Sequence, residues 1–284
     1  MNYRHAYHAG NFADVVKHWV VSRILQHLKL KDAAFFCLDT HAGAGSYDLT
    51  HEEPGRTGEW RSGIGRLLAA TPPAETASLL ATYLEVVRAL QPAGAKQLTA
   101  YPGSPELMLR LMRRRDLLSL CELHPDDARL LQRRYQDEPR VRVNAGDGWK
   151  ALLAQVPPAQ RRGLVLIDPP FERPDEFETM ADRLLAAHRR WDKGCYVLWY
   201  PGKDSSKVRV FHNRLSTSGI RKVLQMGLHV DDGSTAPGLS ACGLIVVNPP
   251  WTFEQEARSV LPFLAETLAQ STNAGWNCCW LVPE

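Results

Sequence analysis

The sequence predicts an α/β fold, a twisted sheet with helices packed on it. Three observations carry this expectation. Short apolar runs of strand character recur at 34–38, 117–121, 141–145, 163–167 and 195–200, separated by stretches of helical spacing. Four of these runs end in an acid or lead straight into one: Asp39, Glu122, Asp147 and Asp168. The first of them also opens into a glycine-rich turn, Thr40-His41-Ala42-Gly43-Ala44-Gly45. In an open parallel sheet the C-terminal strand ends form the ligand crevice. A single acid there is most often a helix N-cap; four in register are a much rarer coincidence.

The elements follow in order. Asn11 is a good N-cap, Asp14 adds negative charge to the first turn, and Phe12, Val15, Val16, Trp19 and Val20 keep the spacing of one buried helical face. Lys17 and His18 lie beside that stripe. After the glycine turn, Ile64, Leu67 and Leu68 suggest one helix, and Leu79, Leu80, Tyr83, Val86, Val87 and Leu90 another, broken up by Pro72-Pro73 and Pro92-Ala93-Gly94. This segment, 50–102, reads as a small helical subdomain inserted into a sheet domain made of 1–49 and 103–284. In the dinucleotide fingerprint an acid follows the glycine turn by about 20 residues; here Glu122 comes far later. Beyond Asp168 the sequence predicts a helix, a strand at 195–200, a helix over about 205–217, strands near 220–230 and 241–247, and a last strand or docking segment at 277–282.

With 284 residues, 44% of them hydrophobic, the chain can build a full core. No apolar run reaches the roughly 20 residues that span a bilayer. The N-terminus, Met1-Asn2-Tyr3-Arg4-His5, lacks a signal-peptide core. A soluble, cytoplasmic protein is expected. The six cysteines include no C-x-x-C pair, which argues against a thiolate zinc site, and several sit in apolar runs as reduced core residues. A net charge of +3 neither demands nor excludes nucleic acid. The arginine groups at 113–115, 133–134, 161–162 and 189–190 read mostly as solvated helix faces, with one or two available for phosphates.

The chemistry concentrates on Asp168-Pro169-Pro170-Phe171, at the end of Gly163-Leu164-Val165-Leu166-Ile167. An adenine amine is a poor nucleophile because its lone pair is delocalised into the ring. A carboxylate and the Pro169 carbonyl can accept its two N–H bonds and favour a pyramidal nitrogen with the lone pair free. The prolines fix the backbone and remove competing donors. Phe171 can stack on an extruded base, at about 1–3 kcal/mol. Against this stands a turn that happens to hold two prolines. Glu122 suits both hydroxyls of a ribose, and Asp147 the exocyclic amine of an adenine ring. Gly43 and Gly45 would keep the wall beside such a ligand free of side chains. Ser104, in Tyr101-Pro102-Gly103-Ser104-Pro105, is either a helix cap or a ligand contact, with capping the simpler reading. A second tetrad, Asn248-Pro249-Pro250-Trp251, lies at least two strands later and is read as structural. His5, His8 and His18 show spacing only, and no metal is assigned. Tyr3-Arg4-His5 is either an aromatic, cationic lip that contacts nucleic acid or a solvated arm.

These motifs resemble one family, the bacterial RlmJ-type 23S ribosomal RNA adenine-N6 methyltransferases. The resemblance runs through Tyr3-Arg4-His5, His8-Ala9-Gly10-Asn11, Ala13-Asp14-Val15, Lys17-His18, Leu38-Asp39-Thr40-His41-Ala42-Gly43-Ala44-Gly45, Tyr101-Pro102-Gly103-Ser104-Pro105, Glu122-Leu123-His124-Pro125, Ile167-Asp168-Pro169-Pro170, Asn248-Pro249-Pro250-Trp251 and Val282-Pro283-Glu284. It implies a class I, Rossmann-like methyltransferase that uses S-adenosylmethionine and methylates one specific adenine of 23S ribosomal RNA, naked or partly assembled. It implies cofactor contacts at His18, His41, Ser104, Glu122, Asp147 and Gly148, catalysis at Asp168, and substrate contacts at Tyr3, His5, Lys17 and Phe171. Phe171 stands where the family tetrad usually has tyrosine, so stacking survives and a phenolic hydrogen bond is lost. A monomer is expected, with no membrane or metal partner. The family's link by name to use of external DNA keeps a DNA adenine methyltransferase as the runner-up. A binding protein that has lost catalysis is the rival from another class, and the intact acids argue against it.

Overall fold

The computed structural model describes residues 5–51, 57–95, 97–231 and 238–284, without the side chain of His5. After a 3-10 turn at His5–Tyr7 the elements are α1 (Phe12–Lys29), β1 (Phe36–Asp39) and β2 (Ser46–Asp48). A π-helical turn at Arg61–Gly65 runs into α2 (Arg66–Ala69), followed by α3 (Ala74–Ala89), β3 (Ala100–Pro102), α4 (Ser104–Leu111), β4 (Leu117–Glu122), α5 (Pro125–Tyr135), β5 (Val141–Ala145) and α6 (Gly148–Gln155). The second half holds β6 (Gly163–Ile167), α7 (Glu176–Arg190), β7 (Cys195–Pro201), α8 (Ser205–Ser216), β8 (Val223–His229), β9 (Ala241–Val247), α9 (Phe253–Leu268) and β10 (Gly275–Val282).

All five residues of β6 are buried, with no polar alternation. Such a strand needs cover on both faces, and the period of two divides its side chains between them. Leu164 and Leu166 join the cluster around Trp19, Tyr83 and Phe253. Val165 and Ile167 join the cluster around Trp149, Met180 and Leu184. The sheet is therefore sandwiched between helical layers, as the apolar runs predict.

The main sheet has eight strands in the order β10-β8-β9-β7-β6-β1-β4-β5. β5, β4, β1, β6 and β7 pair in parallel, β9 runs antiparallel to both β7 and β8, and β10 runs antiparallel to β8. The chain moves from β1 outward to β4 and β5, then returns to place β6 on the other side of β1. That reversal is a topological switch point, where open α/β sheets bind ligands.

The helices of the 50–102 segment appear at the predicted places, but its borders hold a feature that the sequence reading misses. β2 and β3 pair antiparallel, Ser46 opposite Pro102, and close the base of the segment. Each has three residues, too few to show an alternating pattern. Leu80, Tyr83 and Val87 of α3 enter the same cluster as α1, and Trp19 donates from its indole to the Leu79 carbonyl at 3.3 Å. No helix of the described residues is long and apolar enough to cross a membrane. All six cysteines are free, and five are buried.

Candidate active site

Parallel pairing brings the predicted acids to one edge of the sheet. Asp39 ends β1, Glu122 ends β4, Asp168 follows β6 by one residue and Asp147 follows β5 by two. α1 runs back along the sheet with its N-terminal turns over the same edge. Asn11 caps it, its side-chain oxygen accepting from the Asp14 amide at 3.0 Å.

One cleft lies over the switch point. It is lined by Lys17, His18, His41, Ser104, Glu122 and Asp168, among others. The Glu122 carboxylate accepts from the Gly43 amide through Oε2 and the His124 amide through Oε1, each at 2.7 Å. Burial raises its pKa, and the two N–H groups hold it down. These two bonds use one lone pair on each oxygen and leave others for a ligand. Gly43 presents its amide this way from a positive φ of 61°, where a Cβ would also lie 2.4 Å from the Tyr47 hydroxyl. Gly45 serves a different purpose from the one expected. A Cβ there would meet Leu131 and Tyr135 of α5, so it faces the interior and not the cleft.

Ser104 is not a helix cap. Gly103 occupies the N-cap position of α4, and the Ser104 hydroxyl donates to Asp39 Oδ2 at 2.6 Å. Asp39 is fully buried. Burial, helped by nearby Asp168, raises its pKa to about 7 against the Ser104 hydroxyl, the His41 amide and Lys17. His41 stands edge-on to Trp149, with ring centroids 5.1 Å apart. Burial lowers its pKa to about 4, although Asp168 and Asp147 pull the other way. The Thr40 hydroxyl lies 3.0 Å from the Leu166 carbonyl and 2.8 Å from His41 Nδ1. A carbonyl only accepts, so the hydroxyl's single proton goes to Leu166 and Nδ1–H of His41 donates to Thr40. The neutral ring thereby turns Nε2 into an acceptor. His18 stacks on Tyr101 at 5.4 Å and bonds its hydroxyl through Nδ1 at 2.8 Å.

A second cavity adjoins the first. Its walls include His8, Asn11, Glu59, Phe171, Trp199 and Lys203. Lys17, Asp168 and Pro170 line both spaces. Lys17 Nζ lies 2.5 Å from Asp168 Oδ2 and 2.7 Å from Asp14 Oδ1, with all three side chains almost out of solvent. Burial disfavours the ammonium, yet the two carboxylates outweigh it and raise its pKa well above the usual lysine value. Asp14 also accepts from the Gly10 amide at 2.9 Å. Phe171 adopts a positive φ of 51°. Its ring packs against Phe177 and Trp199, at centroid distances of 4.8 and 6.0 Å. At the rim, His8 donates from Nδ1 to Glu59 at 3.0 Å, and Asn11 donates to the same carboxylate at 3.0 Å. That bond raises the His8 pKa against the effect of burial.

The structure thus brings together His18, His41, Ser104, Glu122, Lys17, Asp168 and Phe171. Asp147 and Gly148 lie outside the lining of both spaces. Asp147 caps α6, its Oδ1 accepting from the Trp149 and Lys150 amides. Gly148 is needed for close packing, because a Cβ there would sit 1.9 Å from the Thr40 carbonyl oxygen. Tyr3 lies outside the described residues, as does the His5 side chain. The second tetrad sits at the far edge of the sheet, beside Arg162 and Lys193. Both amide hydrogens of Asn248 are spent on the Asp192 and Gly194 carbonyls, each at 2.8 Å. Among the described residues no His, Cys, Asp or Glu cluster of three is arranged for a metal ion. Sequence reasoning missed the roles of Asp14, Asp39 and Glu59. Asp14 reads as a first-turn helix charge, and Glu59 is 51 positions from the histidine it meets.

A family model described as "RsmJ: Ribosomal RNA large subunit methyltransferase D, RlmJ" matches residues 32–282. The chain belongs to this family. Two members named "Ribosomal RNA large subunit methyltransferase J" align over the full length of both chains, at 43% identity for that of Escherichia coli K12 and 39% for that of Haemophilus influenzae Rd. A crystal structure of a Legionella pneumophila protein superposes with a TM-score of 0.86 at 32% identity, covering 96% of this chain and 98% of that one. The alignment with the two named members includes α1, which carries Lys17 and His18 and which the family model does not reach.

Proposed function

We propose that this chain transfers a methyl group from S-adenosylmethionine to the N6 amine of a specific adenine in 23S ribosomal RNA. One observation carries the reading: the two adjoining spaces share Lys17, Asp168 and Pro170, so a donor in one and a base in the other would meet at the Asp168 carboxylate. The cleft over the switch point suits the cofactor chemically. It offers a buried carboxylate with spare lone pairs at Glu122, a wall kept low at Gly43, and hydrogen-bonding groups on His18, His41 and Ser104. We assign these residues to the cofactor, with Asp147 and Gly148 supporting them from the adjoining loop. Tyr3, His5, Lys17 and Phe171 are assigned to the RNA side, and 50–102 to an inserted helical subdomain.

When bound, S-adenosylmethionine supplies an already activated methyl group, so no side chain has to create the electrophile. The protein's task is to make an adenine amine nucleophilic. Lys17 takes Oδ2 of Asp168, and Oδ1 has no hydrogen bond from the described residues. Oδ1 is thus oriented toward an incoming amine N–H, with the Pro169 carbonyl able to accept the second. Both bonds strengthen as the nitrogen becomes tetrahedral, which is transition-state binding. With Lys17 on Oδ2, Oδ1 is the oxygen left to accept the amine hydrogen and, as the methyl group moves, its proton. Phe171 offers a ring edge and face to a base outside its helix. An unpaired or extruded adenine is required, so naked or partly assembled RNA is the assigned substrate. The chain is taken to act as a monomer in the cytoplasm.

Purified protein given equal amounts of 23S ribosomal RNA and DNA with methyl-labelled cofactor tests this reading. It predicts N6-methyladenine in the RNA at one position. Label in DNA alone would transfer the activity to the runner-up, and binding without label would leave only a binding protein.

A further inference from the structure

α8 follows β7 directly, beside the mouth of the second cavity. Lys207, Val210 and Arg214 recur at intervals of three and four, which places them on one side of α8, and Lys203 stands one residue before its N-cap, Asp204. Lys203 is itself part of the cavity wall that includes Asp168. Lys207, Val210 and Arg214 line a separate shallow groove between α8 and α7. Phe177 lines that groove too, and its ring touches Phe171. A continuous path therefore leads from the reaction centre over the aromatic cluster onto α8.

The chemistry of this path is cationic and partly apolar. Lys203 and Lys207 are exposed and carry no ion pair among the described residues, and Val210 is 63% exposed. The acids that face the groove come from α7: Glu178 lines it, and Asp182 pairs with Arg214. Asp204 is engaged as the N-cap of α8. α8 contains no acid of its own, while it carries Lys207, Arg209 and Arg214. A 12-residue helix is about 18 Å long, enough to lie along several nucleotides.

We infer that Lys203 and the Lys207–Arg214 face of α8 together form a docking surface for the sugar–phosphate backbone of the RNA strand that flanks the target adenine. The inference rests on reading the chain as a ribosomal RNA methyltransferase. It adds where the RNA runs once the adenine has entered the cavity. Lys203 and Lys207 meet phosphates, Arg214 exchanges Asp182 for one, and Val210 packs beneath a ribose.

The test is Lys207→Ala/Arg214→Ala, assayed by methyl transfer to a 23S transcript at several salt concentrations. Arg133→Ala/Arg134→Ala is the control, with equal charge removed from the end of α5 at the other side of the sheet. Each lost phosphate contact lowers the slope of log affinity against log salt by about 0.7–0.9. The double variant should raise KM for RNA roughly tenfold at moderate salt and flatten its salt dependence by about 1.5 units. Its kcat at saturating RNA and its cofactor affinity should match the parent. An unchanged KM and salt slope, or an equal shift in the control, overturns the docking surface and leaves the methyltransferase reading intact. Absence of RNA methylation by the parent protein overturns both.

Discussion

Asp168→Asn is the sharpest perturbation of the proposed chemistry because it preserves shape and changes only charge and one acceptor. In the structure Lys17 donates to Oδ2 of Asp168 at 2.5 Å and keeps Asp14 as a second partner at 2.7 Å. An ammonium has no acceptor, so the asparagine must turn its carbonyl oxygen toward Lys17. Its NH2 then points into the shared space, where the amine of adenine also presents hydrogens. An acceptor becomes a donor facing a donor. A hydrogen bond to a charged group is worth about 1.5–3 kcal/mol, and removing one interaction that is strongest in the transition state costs about 2.7–4 kcal/mol, or roughly 10²–10³ in kcat. The conflict adds to this, so kcat should fall at least ~10²-fold. Single-turnover methyl transfer to a 23S transcript measures it, with calorimetry showing that the cofactor still binds. Turnover within about tenfold of the parent would refute the argument, because a contribution that small is below what an oriented acceptor supplies.

Other consequences can be checked separately. Asp39 has a pKa raised to about 7 from 3.8 by burial, so the folded state holds its proton after the unfolded chain has lost it. Its contribution to stability is fully present below the unfolded value and declines as pH rises through the folded one. Asp39→Asn should remove that decline, and urea melts should show the variant gaining on the parent from about pH 4 to about pH 7; a constant difference contradicts it. Glu122→Gln supplies one oxygen to two amide donors and should weaken cofactor binding by roughly 10–100-fold, about 1.5–3 kcal/mol, in calorimetry. Lys17→Met leaves Asp14 and Asp168 buried without their cation and should cost about 3–5 kcal/mol in chemical denaturation, partly recovered by adding Asp14→Asn. Asn248→Ala should cost about 1–3 kcal/mol through its two lost hydrogen bonds and leave kcat unchanged.

What the sequence reveals and what it hides have physical causes. β6 is legible because a strand buried on both faces must be apolar throughout, and Asp168 stands out against it. The shared edge of Asp39, Glu122 and Asp168 is legible because parallel strands all end on the same side. The partners of these acids are not legible. Lys17 and Asp168 are 151 positions apart, and the link exists only once α1 lies across the sheet. Ser104 follows a glycine and precedes a proline, a pattern that suits a cap, yet the backbone sets Gly103 at the cap and turns the hydroxyl toward Asp39. Gly45 sits in a glycine turn like Gly43, and only the position of α5 shows that it faces inward. The two prolines of each tetrad look alike in sequence. They differ in space because β9 runs antiparallel and delivers Asn248 to the opposite edge.

The proposed chemistry requires donor and acceptor to meet at Asp168. A crystal structure with S-adenosylhomocysteine and an adenosine-containing RNA fragment tests it most directly. The expected result is the ribose of the cofactor product at Glu122, the adenine in the cavity with Phe171, and the N6 amine within hydrogen-bonding distance of Asp168 Oδ1. An adenine bound elsewhere, or an amine separated from Asp168 by packed side chains, would contradict it.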